Sequence, residues 1–225
     1  MRQQFYKPLY HIPALSYLYV VYIYFSLWTN PKLDEAETIY TYCMLMGFEF
    51  FLVHSGFMML PFVRKKYLLL GFLSFYGLIA WGLNSLIPNN TILFTYLFII
   101  LGRMSVAFDA TPGALNKVSV LAVCRALLFL FSVFIVCINA EKIPVEGITN
   151  EFLLQSDYES VKKVGGIFTD TPHVGLCFGV VYFCGLAIID LASIYLFKER
   201  KELTVVNGKK TKNQSHVFSK GLQKS

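Results

Sequence analysis

The sequence predicts an all-α fold: a polytopic membrane bundle of six transmembrane helices with both termini in the cytoplasm. Three observations carry that expectation. The composition is too apolar for a soluble chain, the apolar residues fall into six separate runs, and the basic charge lies on one side of those runs.

Of 225 residues, 56% are hydrophobic and 15% charged, and the mean hydropathy is +0.54. A soluble domain carries about 25% charged residues. Even a large single core leaves much of a chain facing water, so a soluble fold has nowhere to hide this much apolar surface. A bilayer removes the conflict.

A membrane-spanning helix needs about 20 apolar residues, because the hydrocarbon layer is about 30 Å thick and each residue rises about 1.5 Å. The candidate spans are Pro13–Trp28, Ile39–Val63, Tyr67–Ile87, Thr91–Phe108, Val118–Asn139 and Val174–Phe197. Arg103 interrupts the fourth, which makes it the least apolar. Breakers separate the runs at Asn30-Pro31, at Pro88-Asn89-Asn90 and around Pro112-Gly113. Residues 1–197 thus form one transmembrane domain, and the polar, basic segment 198–225 reads as a disordered cytoplasmic tail. The first span has no small-residue cleavage site after it and reads as a signal anchor.

The charges set the orientation. Met1–Pro8, Arg64–Lys66, Asp109–Lys117 and the tail together hold 14 Lys/Arg and 3 Asp/Glu. Asn30–Thr38, Pro88–Asn90 and the long loop Ala140–His173 hold 4 Lys/Arg and 9 Asp/Glu. Lys/Arg bias places the first group in the cytoplasm. This sidedness accounts for the net charge of +6 and the pI of 9.0 without nucleic acid. The tail lysines favour anionic lipid at the inner leaflet.

In the long loop, Ser156-Asp-Tyr-Glu159 matches a capping box, and Gly165-Gly166 suits the end of the short helix that follows. The expectation is one surface helix packed by Phe152, Leu153, Val161 and Val164. A movable lid or a partner-docking element is the alternative. The five cysteines, Cys43, Cys124, Cys137, Cys177 and Cys184, all fall in apolar runs without a CxxC and read as small apolar fillers.

The informative residues are polar groups placed where lipid would penalise them. A charge at mid-bilayer costs about 2.5–3.5 kcal/mol on insertion scales, so such groups turn inward and find partners. From the helix rise, Arg125 and Asp190 each lie roughly 12 Å from the cytoplasmic edge, His54 roughly 15 Å in, and Glu49 about 7 Å further out. Equal depth pairs Arg125 with Asp190. Glu49 and His54, five residues apart, point about 140° apart and meet different neighbours. Arg125, Ser132 and Asn139 recur every seven residues and draw a polar stripe on the fifth span. Gly175 and Gly179 form a GxxxG on the sixth, a face that permits close approach of another helix or a partner protein. Tyr10, Tyr17 and Tyr24 share a face of the first span. The outer two suit aromatic belts, and Tyr17 suits the core.

Two readings of the charged groups stand side by side. They either lock helices together, or line a polar cavity that binds a proton, an ion or an anionic solute. In the second, Glu49 is the proton or cation site, His54 titrates beside it, and Arg125 with Asp190 sets the field at the mouth. Enzyme signals are thin: His54-Ser55-Gly56 is not GxSxG, and there is no HExxH and no P-loop. No cofactor or metal site is expected. Asn89-Asn90-Thr91 matches a glycosylation sequon that hugs the membrane. Three function classes remain: small ion- or proton-coupled solute transport, a membrane scaffold or partner subunit, and an intramembrane enzyme.

Gly47-Phe-Glu49-Phe-Phe-Leu-Val-His54-Ser-Gly56, with Tyr182-Phe183 and Asp190 on the last span, resembles an uncharacterised bacterial family of small multi-helix membrane proteins. The resemblance covers the second and last spans. It implies a bacterial inner membrane and a shared polar core, and nothing about a substrate.

Overall fold

A computed structural model describes residues 12–59, 66–97 and 112–193. Among these residues the chain is helical, with no strand. The helices are α1 Ile12–Thr29, α2 Ala36–Met58, α3 Lys66–Asn84, α4 over residues 91–97, α5 Pro112–Ile138, α6 Asn150–Gln155, α7 Tyr158–Val161, α8 Ile167–Asp170 and α9 Pro172–Ser193. Single 3-10 turns cover Leu33–Glu35 and Ala140–Lys142.

Three helices are long and apolar enough to cross a membrane, over Tyr67–Asn84, Val118–Ile138 and Pro172–Ser193. This fits a membrane protein. The apolar part of α1, Ala14–Thr29, is shorter. The outward faces match that placement: α3 exposes Leu70, Leu78 and Trp81, and α5 exposes Leu127, Phe131 and Phe134.

The second helix differs in kind. At 23 residues it is long enough to span, yet it carries Glu37, Glu49 and His54. It packs against α3, α5, α7 and α8 and buries Ile39, Tyr40, Cys43, Met46, Phe48 and Leu52. It is not among the helices apolar enough to cross a membrane, and its composition suits a helix packed against protein on several sides. The core sits around α2, with Tyr24 of α1, Phe129 of α5 and Phe178, Tyr182 and Leu186 of α9.

Several boundaries differ from expectation. Helix α5 begins at Pro112, so much of the segment 109–117 is helical rather than a loop. Proline suits a first helical turn, where its missing N–H is no loss. Helix α3 stops at Asn84 rather than Ile87. There the Asn84 amide donates to Asn90 Oδ1 (2.9 Å) and its carbonyl oxygen accepts from the Leu93 N–H (3.2 Å), which turns the chain into α4. The rest of the fourth expected span, including Arg103, lies outside the described residues, as do Tyr10 and the tail 198–225.

The loop over residues 140–173 folds as three short helices, not one. The expected Ser156–Glu159 capping box does not form. Thr149 caps α6, accepting from the Phe152 N–H at 3.1 Å, and Ser156 instead follows α6 at its C-terminal end. The chain then turns at Asp157 with a left-handed φ of 51°. That turn sends Tyr158 into the core, where it is 1% exposed and donates to the Thr169 carbonyl (3.0 Å). Burial of this tyrosine outweighs local capping, and the Glu159 carboxylate pairs forward with Lys162 at 2.8 Å. Gly165-Gly166 precede α8 rather than close α7, which ends at Val161. Phe152 is buried, and Leu153 and Val161 pack on the core, whereas Val164 is exposed.

The loop is fastened at several points. Trp28 Nε1 donates to the Pro144 carbonyl (3.0 Å), the Gly147 N–H to the Trp28 carbonyl (3.1 Å), and the Val164 N–H to Tyr40 Oη (3.2 Å). It packs as a cap over the first half of α2.

Candidate functional site

Helices α5 and α9 run antiparallel in a regular register. Arg125 meets Asp190, Leu128 packs on Gly185, and the Phe129 ring lies edge-on to Tyr182 at 5.3 Å. The polar stripe of α5 turns inward at its first two members, with Ser132 only 2% exposed. Asn139, at the helix end, donates back to the Ile135 carbonyl (2.9 Å).

The pair expected from equal depth is formed: Arg125 Nη2 lies 2.7 Å from Asp190 Oδ1. The two side chains differ in exposure, 35% for Arg125 and 11% for Asp190. Arg125 is therefore a half-covered cation on a nearly buried anion. Its Nε–H is buried with no hydrogen-bond partner. Ser193 Oγ donates to the Asp190 backbone carbonyl (2.8 Å), tightening that turn of α9.

Glu49 meets a different neighbour. Its Oε1 accepts from the Tyr182 hydroxyl at 2.9 Å, joining α2 to α9. Tyr182 and Asp190 stand eight residues apart on α9, about 12 Å along the axis. His54 turns elsewhere again. Its Nδ1 lies 2.7 Å from the Phe50 carbonyl oxygen, which can only accept, so Nδ1 carries the proton. The imidazole sits 4.3 Å from the Phe50 ring and 6.4 Å from that of Phe129. Phe129 thus stands between His54 on one side and Tyr182 and Phe178 on the other. Of the four expected site residues, Arg125 and Asp190 pair directly, Glu49 accepts from a phenol, and His54 bonds a backbone carbonyl.

Two further residues hold this arrangement: Phe129, which has no part in the sequence reading, and Tyr182, which entered it only through the resemblance. Spacing puts Tyr182 on the buried face of α9 with Phe178, Leu186 and Asp190, and Phe129 one turn from Arg125, but it does not say which partner either one meets.

The glycine face of α9 is filled within the chain. A side chain at Gly179 would collide with the Tyr24 ring, and one at Gly175 would come within 2.9 Å of the Phe168 carbonyl oxygen and 3.1 Å of Cys43 Sγ. Within the chain, α1, α2 and α8 pack on the face expected to admit another helix or a partner. The same packing corrects Tyr24. It is 1% exposed and donates to the Tyr42 carbonyl (3.0 Å), so it belongs to the core and not to an aromatic belt. Tyr17 packs on Phe183 at 6.2 Å.

Two cavities lie elsewhere. One, of about 560 Å³, is a shallow apolar surface notch on α5 beside Leu127, Phe131 and Phe134. The other, of about 200 Å³, lies between α2, α3 and residues 165–169. Neither takes Glu49, His54, Arg125 or Asp190 into its lining. Among the described residues, no three His, Cys, Asp or Glu side chains gather as metal ligands would.

On the cap, Lys162 Nζ bridges Glu159 (2.8 Å) and Asp170 (3.0 Å). Hydrogen bonds from Lys162 and from the Gly166 N–H hold the Asp170 carboxyl below its ordinary value. Hydrogen bonds to Glu159 and Asp170 raise Lys162 in turn. Comparison of the chain with protein-family models, with curated proteins and with solved structures gives no match.

Proposed function

We propose that this chain is a six-span plasma-membrane protein, in the inner membrane of a bacterium, with both termini cytoplasmic. Its role is that of a scaffold or partner subunit whose intramembrane charges hold its own helices together. One observation carries this reading: Arg125 and Asp190 are paired directly at 2.7 Å across α5 and α9. The Glu49–Tyr182 bond, between α2 and α9, does the same work between another pair of helices. A double-mutant cycle on Arg125 and Asp190, read by thermal unfolding in detergent, tests it. A clear coupling energy supports a structural tie, and additive single effects contradict it. Reporters fused at Ser156 and Ser225 test the topology, with the first expected outside and the second inside.

Proton- or ion-coupled transport of a small solute is the second reading, favoured by the carboxylate of Glu49 on a phenol where three helices converge. In it, Glu49 carries the proton and Arg125 attracts an anionic substrate. An intramembrane enzyme has less support. The contacts of His54 described above, the Phe50 carbonyl and two phenylalanine rings, include no titratable group.

A further inference from the structure

We draw no further inference here: the strongest candidate, the acidic surface of the 140–173 cap with Glu146, Glu151, Asp157 and the 81%-exposed Leu154 of α6 on it, is a cluster of carboxylates that the sidedness of charge already accounts for, and nothing in the structure shows what covers it.

Discussion

Arg125 Nη2 and Asp190 Oδ1 stand 2.7 Å apart, and this pair fixes the register in which α5 and α9 run past each other. Eight residues along α9, the hydroxyl of Tyr182 holds Glu49. Removing one member of a buried pair costs about 3–5 kcal/mol. With Arg125 35% exposed the cost here falls below that range. Arg125→Leu and Asp190→Leu should each lower the melting temperature in detergent, and Arg125→Leu more, since it leaves the more buried carboxylate without its cation. The double Leu variant should recover part of the loss.

Tyr182→Phe keeps the ring packed on Phe129 and deletes only the donor to Glu49. A hydrogen bond to a charged group contributes about 1.5–3 kcal/mol. Thermal unfolding should show a loss in that range, and Tyr182→Phe combined with Glu49→Leu should lose less than the sum of the two. An additive result would mean that the bond contributes nothing.

The two kinds of glycine in this bundle should respond in opposite ways. Gly179→Ala drives a methyl into the Tyr24 ring, and overpacking of this kind costs about 1–3 kcal/mol. Gly47→Ala meets no neighbour and should stabilise by about 0.5–1 kcal/mol through helix propensity. Melting temperatures of the two variants, measured side by side, decide this.

The cap carries a pH dependence with a definite sign. Asp170 titrates below its ordinary value, so its contribution is present above about pH 4 and is lost as the pH falls through its folded value. Lys162 titrates above its ordinary value, so its contribution is complete below about pH 10 and is lost as the pH rises further. Hydrogen exchange over residues 162–170, corrected for the intrinsic pH dependence, should show protection from roughly pH 5 to pH 10 and loosening outside that range. Asp170→Asn should abolish the acidic limb.

How much was legible in the sequence follows from what each residue answers to. The runs of α3, α5 and α9 are long and apolar enough to cross a membrane, a property of composition alone, so a hydropathy count finds them. Arg125 and Asp190 were legible because charge in hydrocarbon must be matched at equal depth. Helix α2 is harder to read, since neighbours rather than lipid set its composition. The cap was misread at Ser156 and Glu159 because the capping pattern is local, whereas the turn at Asp157 exists to bury Tyr158 against distant partners. The GxxxG of α9 showed that something approaches closely, but not that α1 and α8 do so from within the chain. The roles of Tyr182 and Phe129 depend on which helix faces which, and spacing along one helix does not give that.

The most direct test of the account is to follow proton flux and melting temperature together for wild type and Glu49→Gln in proteoliposomes with an imposed pH gradient. If the charged groups are helix ties, the purified wild type carries no flux above empty liposomes. Glu49→Gln then leaves that baseline unchanged while lowering the melting temperature. A wild-type flux that Glu49→Gln abolishes with no change in melting temperature would contradict the structural reading and make Glu49 the carrier of a transported proton.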